Sequence, residues 1–230
     1  MSFMVFVIHT VPDTHTGSKK YQFGDLDEKN AIKAMTHLQQ QSGRQDLPQF
    51  LQRVVAISSI YRGPGVTLEM SYLGDGKSED EILYKFFKSI NPNNLPTFVT
   101  WDSSNDISIL KYRCLKHVLP ISLLTMNPPV SLKDELSEYN DEASTSLENL
   151  MYLIGKEGSK PLNQQQIWDC WWQKDFVSIR RNCIDRALDL YLVYLRYQYI
   201  KGETTLQYYE HEVSHFDRFT KQYIEKYVDI

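Results

Sequence analysis

"MVFVIHTVPD", residues 4–13, decides how the chain is read. The apolar run is far shorter than the roughly 20 residues a membrane-spanning helix needs. It stops at His9 and turns at Pro12. Being apolar on both faces, residues 3–10 read as a strand in the middle of a sheet. A histidine at the end of such a strand is either a satisfied core group or a side chain aimed at a site.

Outward from that strand, residues 14–26 are polar with two glycines and read as a loop. "DLDEKNAIKAMTHLQQQ" sets Ala31, Met35 and Leu38 at helical spacing, with acids at its start. "RVVAISSIYR" and "VTLEMSYL", joined through Gly63-Pro64-Gly65, read as a hairpin. "SEDEILYKFFKSI" is a helix that Ser78 and Glu81 would open as a capping box. "PTFVTWD" is a short buried strand. The helix of "NDISILKYRCLKHV" follows, its apolar stripe being Ile107, Leu110, Cys114 and Val118. Residues 119–143 carry no clear period. "SLENLMYLIG", "NQQQIWDCWWQ", "FVSIRRNCIDRALDLYLVYLRYQYI" and "TLQYYEHEVSHFDRFTKQYIEKYV" are helices. Strands come first and helices then dominate, which predicts an α/β domain with a helical C-terminal half.

Composition bounds the function. A length of 230 residues suits one domain, here 1–230, with 204–230 as a C-terminal helical extension. The net charge of −4 is not that of a strong nucleic-acid binder, so such binding would need a local patch. The three cysteines, Cys114, Cys170 and Cys183, are odd in number and form no CxxC pair, which points to a reducing, cytoplasmic setting. No basic residue precedes the first apolar run, unlike a secretory signal, and no stretch is long and apolar enough for the membrane.

Among motifs, "HEVSH" (211–215) has the HExxH spacing of a zinc site. No further His or Gly follows at a metalloprotease spacing, so an ordinary surface helix is expected. There is no phosphate loop and no GxSxG. The tyrosines from Tyr191 to Tyr227 could stack on bases, but such stripes are more often core or interface.

Three stretches carry a resemblance. They are "FVIHTVPD" (6–13), "FVTWDSSNDISILKYRCLKH" (98–117) and "FVSIRRNCIDRALDLYLVYLRYQYIKGE" (176–203), with "LPQFLQRVVAIS" (47–58) as the lead into the second strand. They resemble the predicted 3′–5′ exonucleases related to the exonuclease domain of family B DNA polymerases. The resemblance implies a ribonuclease H-like mixed sheet flanked by helices and a site of the DEDDy type, which uses magnesium or manganese. That family's first strand reads Phe-Asp-Ile-Glu-Thr-Val-Pro-Asp. By this match Val7 stands where the first ligand Asp belongs, and His9 where the Glu belongs. Asp106 keeps the second-motif Asp, Asn182 replaces the water-orienting Tyr, and Arg186 falls where the last Asp should be. A His-x-Asp-Leu segment common in the family is missing around "PPVSL".

The resemblance therefore implies a vestigial site. Valine offers no oxygen, histidine offers a nitrogen that suits zinc better than magnesium, and guanidinium stays charged. No cofactor is expected, with Asp106 as a remnant ligand, and Mg or Mn only if the protein is active. Asp102 and Asp189 are the acids near enough to rebuild a single-metal site with His9 and Asp106. Asp106 and Arg186 are expected to form an ion pair across the pocket, with His9 beside them. The function expected is a non-hydrolytic binding module for single-stranded nucleic acid, weak and salt-sensitive, with Arg180 and Arg181 as phosphate contacts. The alternatives are an active exonuclease with a remodelled site and a scaffold for a protein partner.

Overall fold

The computed structural model describes residues 2–43, 46–65 and 68–227. Its centre is a five-stranded mixed sheet in the order β3-β2-β1-β4-β5. The strands are β1 (Phe3–Pro12), β2 (Gln52–Arg62), β3 (Leu68–Leu73), β4 (Thr97–Thr100) and β5 (Val130–Ser131). β1 pairs antiparallel with β2 and parallel with β4; β2 and β3 form the expected hairpin, and β4 and β5 run parallel. This is the mixed sheet flanked by helices expected of a ribonuclease H-like domain.

Both faces of β1 are covered, as its unbroken apolar run requires. Phe3, Val5 and Val7 face one core with Ile60, Val99 and the helix α9 (Phe176–Ile200). Met4 and Phe6 face the other, built on α3 (Glu79–Ser89) and α4 (Ser103–His117). A third cluster gathers Val11, Met35 and Trp168 between α2 (Glu28–Gln41) and α8 (Gln164–Trp172). The last helix, α10 (Leu206–Tyr227), sends Phe216 into the first core, where its ring stacks on Tyr191 with centroids 4.6 Å apart. No helix among the described residues is long and apolar enough to cross a membrane.

Several local readings need correction. Residues 14–26 are not all loop, because α1 (Thr14–Tyr21) occupies most of them. Its start is fixed by Asp13, whose carboxylate accepts from the Thr16 amide at 3.1 Å. The helix has no apolar stripe to betray it. What it buries is Gly17, where a Cβ would lie 2.4 Å from the Met35 sulfur. Ser78 does not cap α3 with its side chain, and Glu81 instead pairs with Lys85 one turn on. Val118 is 90% exposed because it takes the left-handed position that ends α4, so the stripe closes at Cys114. The segment without a period holds α5 (Ser122–Met126), β5 and α6 (Leu132–Ser137), and α7 (Leu147–Leu153) follows.

Candidate functional site

The parallel neighbours β1 and β4 end side by side, and a cavity of about 280 Å³ opens beyond their carboxyl ends. In open sheets that crevice is where ligands bind. It is lined by Val7 and His9 of β1, Trp101 and Asp102 after β4, Asp106 of α4, and Arg186 of α9. The β1–β2 register shifts between His9 and Thr10, leaving Val55 as an extra residue on β2. A bulge at that point re-aims the strand end.

His9 is 5% exposed. Its Nε2 lies 3.0 Å from Asn182 Oδ1, and the Asn182 amide donates to the Lys160 carbonyl at 3.0 Å. The other ring nitrogen, Nδ1, faces the Ile8 carbonyl at 3.2 Å, so both nitrogens meet oxygens and the neutral ring can donate to only one of them. Burial, with the Arg186 charge nearby, pushes the imidazole pKa down to about 4, so His9 is uncharged at neutral pH. Asp106 is placed by the first turn of α4, which Asp102 caps by accepting from the Asn105 amide at 3.1 Å. Asp106 Oδ2 accepts from Thr100 Oγ at 2.5 Å. Burial raises this carboxyl to about 7; Thr100 and Arg186 draw it down and the Asp102 charge adds to the rise. Val7 contributes only methyl groups, and its carbonyl accepts from the Cys183 thiol at 3.7 Å.

Four of the five positions singled out in the sequence thus line one cavity, and the fifth, Asn182, is bonded to His9. The expected Asp106–Arg186 ion pair is not formed: no acid of the described residues lies within pairing distance of Arg186. Burial lowers the guanidinium pKa, with Asp189, Asp106 and Glu148 acting on it only from a distance. The reason is local competition. Asp106 takes the Thr100 hydroxyl, and Asp189 takes both the amide and the hydroxyl of Ser159, at 2.9 and 2.6 Å. Such neutral donors satisfy a carboxylate without stripping water from a guanidinium.

The acids that could rebuild a metal site are also occupied. Asp102 pairs with Lys133 at 3.3 Å, and Asp189 is turned to Ser159. Among the described residues no three of His, Cys, Asp and Glu are gathered so as to hold a metal. The two arginines offered as phosphate contacts behave differently from one another. Arg180 is tied to Asp75 at 2.8 Å, while Arg181 is exposed. Thr100 was not anticipated, although a hydroxyl ending a strand just before an acidic helix start was a signal.

"HEVSH" is not an ordinary surface stretch. Glu212 is 1% exposed and receives two hydrogen bonds from the Arg62 guanidinium, at 2.6 and 2.7 Å. Both its oxygens are thereby engaged, and His211 beside it is exposed.

Residues 44–129 and 124–229 match the family described as predicted 3′–5′ exonucleases related to the exonuclease domain of PolB. The chain belongs to this family. The matched residues of this exonuclease-like chain include Asp106, Asn182 and Arg186 but begin after β1, so Val7 and His9 enter the site through the fold. No curated protein sequence matches it.

Proposed function

We propose that this chain is a catalytically degenerate 3′–5′ exonuclease-like protein that holds single-stranded nucleic acid without hydrolysing it. The observation that carries the reading is the His9–Asn182 hydrogen bond. Two positions that the family resemblance assigns to a metal ligand and to the water-orienting group satisfy each other instead. The donor set does not suit magnesium or manganese. Those ions want several oxygens, and the cavity offers the hydroxyl-bound Asp106 carboxyl, an Asp102 carboxylate already engaged by Lys133, a neutral imidazole and a guanidinium. The guanidinium supplies a cation for a phosphate directly, so binding needs no metal. Cytoplasmic residence is part of the same reading, in keeping with three free thiols.

The test uses the full chain with single-stranded DNA and RNA oligomers, with magnesium, manganese or zinc and with chelator. The expected result is no release of nucleotides. Binding should survive chelation, fall steeply with salt, and weaken in Arg186→Gln. Metal-dependent release that disappears in Asp106→Ala would overturn the proposal in favour of a remodelled exonuclease. Absence of nucleic-acid binding would overturn it in favour of a protein scaffold.

A further inference from the structure

A second concave site lies away from the strand ends, between α2 and α8, with a volume of about 560 Å³. One wall is basic. Lys29, Lys33 and His37 follow one another at i, i+4 and i+8 on α2, which sets them along one face. The other wall is aromatic. Trp168 and Trp172 stand one turn apart on α8, the first buried and the second 38% exposed. The groove has one acid, Asp169, whose carboxylate is held by the Gln165 amide at 3.1 Å. Neither Lys29 nor Lys33 is paired with an acid among the described residues. The groove therefore pairs a partly open indole with a net positive charge.

We propose that this groove binds a mononucleotide, its base against Trp172 and its phosphate on Lys29 and Lys33. The size is that of a small-ligand site rather than of a bed for a partner helix. An exposed indole is a platform for a base of any sequence, and lysines at hand supply the phosphate contact. The inference does not depend on the reading of the strand-end cavity, whose residues lie on other elements.

The test is a tryptophan-fluorescence titration of the full chain with adenosine 5′-monophosphate. Saturable quenching is expected, weakened by salt. Binding should fall about tenfold or more in Trp172→Leu and in the double variant Lys29→Gln with Lys33→Gln. Adenosine and inorganic phosphate should each bind more weakly than the nucleotide. Arg186→Gln, which removes the phosphate contact proposed for the strand-end cavity, should keep a saturable response that the groove variants lose, which separates the two sites. Far-UV circular dichroism and the urea midpoint check that the Trp172 and lysine variants remain folded. Because Trp172→Leu removes one reporter, the His37 imidazole NMR signals give a second reading of binding. The proposal is overturned by no saturable response at millimolar nucleotide, by equal binding in wild type and the groove variants, or by loss in Arg186→Gln alone. Quenching by a polyglutamate peptide but not by the nucleotide would likewise overturn it and assign the groove to an acidic protein segment.

Discussion

His9 and Asp106 line the same cavity, yet their protons pull stability in opposite directions. The His9 pKa falls from 6.5 to about 4 on folding. Its contribution is present above pH 6.5 and is lost as pH falls toward 4, a change of about 3 kcal/mol at 1.36 kcal/mol per pKa unit. The Asp106 pKa rises from 3.8 to about 7, so its contribution is present below 3.8 and is lost as pH rises through 7. Between pH 4 and 6.5 the two slopes oppose. Urea unfolding of Asp106→Asn should therefore show a steeper loss of stability on acidification than wild type, and His9→Gln a shallower one. Identical pH slopes in all three proteins would contradict this account. Part of this arrangement was legible. The parity of β1 sets Val7 and His9 on the α9 face with Phe3 and Val5, so a partner on α9 followed from the alternation. That Asp106 would choose Thr100 over Arg186 left only a faint mark in the sequence, an uncharged hydroxyl six residues before the acid, against the plain charge of Arg186.

At the scale of elements, α10 is fastened by the buried Arg62–Glu212 pair and by rings stacked on α9, Phe216 on Tyr191 and Tyr209 on Tyr199. Arg62 closes β2, and its guanidinium lies against Glu212 with both groups almost wholly buried. Removing one member leaves the other charged in a dry place, so Glu212→Gln should cost about 3–5 kcal/mol. Arg62→Met combined with Glu212→Leu should cost less than the two single changes added together. His211→Ala, at an exposed position of the same helix, should lie within about 0.5 kcal/mol of wild type. Denaturant midpoints of the five variants check the set, and an unaffected Glu212→Gln would show that the ion pair contributes nothing to stability. The helix itself was plain in the sequence from its period. Its buried acid was not, since nothing near "HEVSH" reveals a guanidinium 150 residues earlier. α1 was missed for the related reason that its packing face is a glycine.

For the whole molecule, the charge that binds elements together is Arg113 of α4. It is 1% exposed and bridges Asp13, at the end of β1, and Glu79, at the start of α3. Lys116 adds a contact to Asp13 at 2.6 Å, His117 one to Glu79 at 2.7 Å, and the Val54 amide of β2 donates to Glu79 at 2.6 Å. Two strands and two helices therefore meet at one set of mutually compensating charges. Arg113→Met should destabilise by about 3–5 kcal/mol, with two carboxylates left facing each other's charge. The Lys116, Thr16 and Arg113 hydrogen bonds hold the Asp13 carboxyl well below the usual carboxylate range, against the cost of its burial. Its contribution is present above the ordinary value of 3.8 and drains away as pH falls further. Asp13→Asn should therefore flatten the acid limb below pH 4 while leaving the slopes near neutrality alone, as followed by circular dichroism against pH.

The Arg62–Glu212 pair also orders events in time. Glu212 is made 150 residues after Arg62. At roughly 5–20 residues per second, translation takes about 8–30 s to bridge that gap. For that interval the end of β2 lacks the Glu212 carboxylate, and from the making of Tyr191 until that of Phe216 the face that Phe216 will cover lacks that ring. A growing chain is thus open on its α9 side until the final helix is made, and a ribosome that stalls late would present an aromatic surface for chaperones to hold.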